Sequence, residues 1–173
     1  MPNPSARRPI SLAILVVAIS TLTPSFSYAD EEELPVLATA QAKEDSFADS
    51  YVEVNEAKRA DDSNYVTITW TLRNRGGDTI SYADFQNDLY EYRDRSVSAV
   101  TALDEKEKIR YHPLQDENGF CICAGQFAPG DFMNEIKDKK SSPYWTSYII
   151  PENISEISIE VPGFEKTPSF PVK

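Results

Sequence analysis

Sulfur, imidazole and glycine are scarce here: two Cys, two Met, one His and six Gly among 173 residues. A single His excludes multi-histidine metal centres, and a Ser–His–Asp triad would have to use His112. Its neighbour Pro113 and its place before a hairpin give His112 a structural or exposed role instead. The G-x-S-x-G, H-E-x-x-H, Walker and dinucleotide fingerprints are all missing, so those enzyme templates fail. With 28 acids in the chain, a glycosidase carboxylate pair carries no specific signal. Positive charge is also short, with 17 Lys and Arg and a formal net charge of −11. Such a surface repels phosphate backbones and anionic lipid, so nucleic acid is not an expected partner. Long apolar runs are limited to residues 10–22, shorter than the roughly 20 residues that span a bilayer. No internal repeat is present.

That one run belongs to an export signal. Arg7 and Arg8 precede it, Pro24 breaks it, and Ser27-Tyr28-Ala29 offers the small residues a signal peptidase reads. Residues 1–29 are therefore expected to be a signal peptide cleaved near Ala29. No Cys stands near the cleavage site, so a lipoprotein anchor is not expected. The product is expected to be secreted or extracytoplasmic, with no membrane insertion of the mature chain. Residues 1–29 hold two Arg and no acid, so their removal leaves a charge of −13 over 144 residues. Both Cys then face an oxidising compartment.

Residues 30–49 are rich in Asp, Glu and Ala without sustained periodicity, and read as an acidic flexible spacer. The folded domain is expected over residues 50–173. Residues 51–54 form a short strand candidate. Residues 64–73 alternate cleanly: Val66, Ile68, Trp70 and Leu72 on one face, Tyr65, Thr67, Thr69 and Thr71 on the other. Trp70 is expected to anchor the core. Phe85, Leu89 and Tyr92 have the spacing of a short helix near residues 83–93. Further strands are expected over 97–103, 109–114, 120–124, 132–136, 144–150 and 157–161, with Phe164 and Phe170 folding back over an edge. The fold class is all-β, an Ig-like antiparallel β-sandwich of about eight strands.

Chemistry concentrates in Phe120-Cys121-Ile122-Cys123. Asn118-Gly119 is a strong hairpin signal. A two-residue loop there places Asp116 opposite Cys121 and Leu114 opposite Cys123. His112, Leu114 and Asp116 would then share a face with both Cys. Three readings stay open. One is a Cys121–Cys123 disulfide. It needs a turn or bulge, because alternate Cβ atoms in a strand lie about 7 Å apart and a disulfide needs roughly 3.8 Å. The second is a metal site of Cys121, Cys123, His112 and Asp116, although zinc spacing is usually C-x₂₋₄-C. The third is a pair of free thiols. Asn153-Ile154-Ser155 fits a glycosylation sequon, a frequent chance match.

The stretch from Arg110 through Cys121-Ile122-Cys123-Ala124 resembles a hairpin of secreted actinobacterial domains. In that family a Cys-x-Cys-Ser follows an acidic, Gly-containing turn. Val100-Thr101-Ala102-Leu103-Asp104 is similar to the family's preceding strand, and Ala128-Pro129-Gly130 to its Pro-Gly turn. The closing strand, ending Val161-Pro162-Gly163-Phe164, is similar too, as is the opening around Trp70-Thr71-Leu72-Arg73-Asn74. Ala124 departs from the usual Ser, and residues 83–95 are longer than in the family. The resemblance covers residues 50–172 and implies an Ig-like domain of largely unassigned role. The expected function is a non-enzymatic binding or envelope-associated module with no cofactor. Its partner would be a protein or a cell-envelope component. The alternative is a thiol- or metal-handling protein using Cys121, Cys123 and His112.

Overall fold

The computed structural model describes residues 34–87, 92–126 and 134–173. The signal-peptide reading and the turn at 128–130 lie outside them. The strands are β1 (Ala38–Gln41), β2 (Tyr51–Arg59), β3 (Tyr65–Arg73), β4 (Ile80–Ser81) and β5 (Thr101–Asp104). They continue with β6 (Ile109–Tyr111), β7 (Glu135–Ile136), β8 (Ser141–Ile149), β9 (Glu156–Glu160) and β10 (Phe170–Pro171). One sheet runs β1-β2-β3-β8 and a second β10-β9-β5-β6, with β4 and β7 as a separate pair. Every pairing between these strands is antiparallel. The all-β sandwich expected from the sequence is therefore present, with ten strands described.

β3 carries the core. Val66, Ile68, Trp70 and Leu72 are fully buried, as the alternation requires. Trp70 meets the Tyr144 ring at 4.9 Å and the edge of Phe85 at 5.9 Å. Its Nε1 donates to Thr146 Oγ1 on β8 at 3.5 Å. From the second sheet, Ala102, Ile157 and Ile159 complete the same cluster.

β2 extends five residues beyond the expected Val54, through a bulge between Val54 and Glu56. Asn55 is the extra residue. Its Nδ2 donates to the Pro35 carbonyl at 2.9 Å, and its Oδ1 accepts from Thr71 at 2.7 Å. A bulge shifts the phase of alternation, which is why Ala57 rather than Glu56 points inward.

The spacer expected at 30–49 is corrected over most of its length. Ala38–Gln41 pairs with β2, and Asp45–Phe47 is a 3-10 turn whose Phe47 ring lies 5.9 Å from Phe85 and 5.3 Å from Phe164. Ala38 and Ala40 are small enough to sit on the core without marking the sequence as apolar. Gly163 makes this junction possible: its φ is +80°, and a Cβ there would lie 2.2 Å from the Phe47 ring. Phe164 accordingly sits in the core, and Phe170 joins the sheet edge in β10.

The helix expected at 83–93 is corrected to a 3-10 turn over Tyr82–Phe85, capped reciprocally by Ser81 and Asp84. Gln86 is already extended, so Phe85 and Tyr92 do not share one helix. Leu89 lies outside the described residues. Residues 97–100 form a turn rather than the start of β5, with Val100 N–H donating to the Val97 carbonyl.

Candidate functional site

The Cys-x-Cys segment lies on the outer edge of β8. Leu114 N–H donates to Ser147 O, Ser147 N–H to Ile122 O and Ala124 N–H to Trp145 O, all within 3.0 Å. Cys123 forms a bridge with Thr146, the residue that also receives Trp70. An edge strand exposes unpaired backbone groups, and this segment occupies them.

The loop has three residues, not two. Asp116 N–H donates to Phe120 O at 2.9 Å and Gly119 N–H to Asp116 O at 3.1 Å. The Asp116 carboxylate accepts from the N–H groups of Asn118 and Phe120, each at 2.8 Å. These bonds, led by that from Phe120, hold its pKa below the ordinary carboxylate value. A two-residue type I′ loop needs positive φ at both central residues, and only Gly119 has it, at +84°. The extra residue shifts the register by one, so Gln115 rather than Asp116 bridges Cys121.

The predicted metal constellation is thereby dismantled. A one-residue shift moves His112 and Asp116 off the face expected for the sulfurs. Cys121 and Cys123 are joined by a disulfide, with S–S at 2.02 Å and Cα atoms 5.3 Å apart. That Cα separation shows the chain turned at Ile122, as a disulfide across one residue requires. Among the described residues no group of three or more His, Cys, Asp and Glu is placed to hold a metal. The sulfurs are enclosed: Cys121 is 8% exposed and Cys123 1%. Buried Asp94, which the sequence reading did not single out, fixes Cys121 by accepting its N–H at 3.0 Å.

Replacing both Cys by Ser is expected to cost about 1.6 kcal/mol in lost chain constraint, from the loop model for three residues. Burying two hydroxyls adds to that figure. Urea unfolding of Cys121→Ser/Cys123→Ser against the parent protein measures it.

His112 is half-buried, and burial first and Arg110 second hold its imidazole below the ordinary value near 6.5. The folded state therefore favours the neutral ring. Below that ordinary value the unfolded chain binds more protons than the folded one, so stability falls as pH drops from about 6.5 toward the folded pKa. Relative to His112→Gln, the parent should therefore lose stability from pH 7.5 to pH 5.5, as urea midpoints at both values would show.

Two clefts lie away from this hairpin. One, of about 570 Å³, is lined by Leu34, Pro35 and Leu37 before β1, Ala57 and Arg59 of β2, and Lys173 among others. Leu34 at its wall is 47% exposed. The spacer reading hid this cleft, because it takes residues 34–37 as wall. The second, of about 310 Å³, lies where the β5–β6 turn faces the loop after β8. Asp104, Glu105, Lys106 and Glu107 meet Asn153, Ile154, Ser155, Glu156 and Ser169 there.

Arg59 holds the loop of the second cleft from behind, donating to the carbonyls of Ile150 at 2.6 Å and Ile154 at 2.9 Å. Among the described residues no helix is long and apolar enough to cross a membrane. Comparison with protein-family models, with curated proteins and with solved structures finds no match to this chain.

Proposed function

We propose that this chain is an exported, non-enzymatic Ig-like binding module that acts in the cell envelope or outside it. The observation that carries the reading is the state of the sulfurs. The only two Cys of the chain are paired and enclosed against β8, where they fix an edge. A disulfide in this position suits an oxidising compartment. It also removes the thiols from reaction, since exchange needs an accessible sulfur. The export signal read at residues 1–29 and the likeness to secreted actinobacterial domains support the same location. The acidic surface then acts through recognition, with a protein or envelope component as partner.

The immobilised protein should bind material from envelope fractions saturably and in competition with free protein. Cys121→Ser/Cys123→Ser should still bind wherever it remains folded. Thiol–disulfide exchange activity of the parent, measured as catalysed insulin reduction, would contradict the reading. So would the absence of saturable binding in every fraction.

A further inference from the structure

The loop between Asp116 and Phe120 restrains a reactive pair of residues. Asn118 is the only Asn in the chain followed by Gly. The amide carbon of an Asn side chain can be reached by the nitrogen of the next residue, and glycine, lacking a Cβ, leaves that nitrogen unhindered. Asn118 is exposed, so water has access to its amide. The loop nevertheless ties down both residues. Gly119 N–H donates to the Asp116 carbonyl at 3.1 Å, and the Gly119 carbonyl accepts from Arg93 N–H at 3.0 Å. The Asp116 carboxylate accepts from the N–H groups of Asn118 and Phe120, each at 2.8 Å, and from the Asn118 side-chain amide. Attack on Asn118 Cγ requires the Gly119 nitrogen to give up the proton it donates to Asp116, so that bond must break first. The reactive arrangement is the opened loop, and local opening costs less than global unfolding.

We propose that Asn118 is a site of spontaneous, irreversible deamidation whose rate is set by opening of the Asp116 loop. In the opened loop the Gly119 nitrogen bonds to Asn118 Cγ and the Cγ–Nδ2 bond breaks. The Gly119 proton passes through solvent to the departing nitrogen, which leaves as ammonia. Water then opens the five-membered imide at one carbonyl or the other, giving isoaspartate or aspartate. Nothing is oxidised or reduced, and water is the only co-reactant. Either product sets a second carboxylate beside Asp116 and deletes the amide donor that Asp116 accepts. Isoaspartate also lengthens the backbone by one carbon, in a loop whose length sets Gln115 opposite Cys121. The modified chain should therefore hold the disulfide segment on β8 less firmly.

The test incubates the purified protein at mildly alkaline pH, folded and in urea above its unfolding midpoint, and maps its peptides by mass spectrometry. Asn118 should gain about 1 Da, the exchange of NH2 for OH, ahead of every other Asn and split between aspartate and isoaspartate. The folded protein should react about tenfold more slowly than the unfolded chain, the scale of the loop's combined hydrogen bonds. Asp116→Ala removes the restraining carboxylate and should react faster than the folded parent. Hydrogen exchange at the Gly119 amide of the parent, followed in sub-denaturing urea, should quicken in step with deamidation. That measurement needs no variant and decides the matter if Asp116→Ala unfolds.

No gain at Asn118 in either state would remove the site. Equal rates in the folded and unfolded chain would remove the loop's control and overturn the proposal. So would slower deamidation in Asp116→Ala, which would make the carboxylate a promoter of ammonia loss, or Gly119 exchange that quickens while deamidation stays constant.

Discussion

Trp70→Ala is expected to destabilise the fold by about 3–5 kcal/mol, the range for deleting a large buried aromatic side chain. The indole sits where β3, β8 and the 3-10 turn at Tyr82–Phe85 meet, one residue away from the disulfide segment through Thr146. It is fully buried, meets Tyr144 and Phe85, and donates to Thr146. Removal opens a cavity walled by groups from separate elements, and these cannot all relax inward together. The Thr146 hydroxyl also loses a donor. Its neighbours Trp145 and Ser147 hydrogen-bond Ala124 and Ile122 on either side of Cys123, so the damage reaches the hairpin edge. Trp70→Phe keeps an aromatic ring and should lose clearly less. Urea midpoints of the two variants, with m compared to confirm an unchanged two-state transition, separate these expectations.

Asn74→Asp is expected to cost about 3–5 kcal/mol at pH 7, the scale for an uncompensated buried charge. The substitution changes hardly any volume. Asn74 is fully buried at the end of β3 and joins three segments. Its Nδ2 donates to the carbonyls of Asp78 at 2.6 Å and Ile136 at 2.7 Å. Its Oδ1 accepts from Ser50 Oγ at 3.2 Å and Gly76 N–H at 3.1 Å. An aspartate would keep the accepting oxygen and turn the other against two carbonyls. The folded state would then disfavour ionisation, raising the folded pKa above the unfolded value near 3.9. Stability lost in this way is recovered as pH falls toward 4, because only the ionised form clashes. Chemical unfolding of the variant at pH 7 and pH 4 should show a smaller deficit at pH 4. An equal deficit at both would mean that the site tolerates the charge.

The parts of this fold that were legible in the sequence are those where local pattern and tertiary role agree. β3 was readable because every second residue is large and apolar and no irregularity interrupts it. β9 was readable for the same reason. The second half of β2 was not, because Asn55 inserts one residue and inverts the pattern. β1 was hidden for a different reason: Ala38 and Ala40 are small, and pairing with β2 supplies the strand character that their propensity lacks. The acidic stretch before them coloured the whole segment as a tail.

The candidate site was half legible. A Cys121–Cys123 disulfide stood among the readings that residue types and spacing left open, and so did the turn it requires. The register did not, because it turned on the Asp116 carboxylate. That side chain gathers the N–H groups of Asn118 and Phe120 and lengthens the loop by one residue. One residue of slip was enough to separate His112 and Asp116 from the sulfurs. Asn74 and Asp104 are polar residues at strand ends, with nothing beside them in the sequence to mark them as buried. What the linear pattern lacked was their burial, set by segments far away in sequence.

The disulfide staple on the β8 edge is the feature on which the functional reading depends, and its state can be weighed directly. Intact-mass measurement under native and denaturing conditions, with alkylating agent and with or without reductant, decides it. The staple predicts a chain about 2 Da lighter than its dithiol form, carrying no metal. Alkylation should appear only after reduction. Two alkyl groups added without reductant, or one equivalent of zinc or copper that disappears in Cys121→Ser, would contradict it.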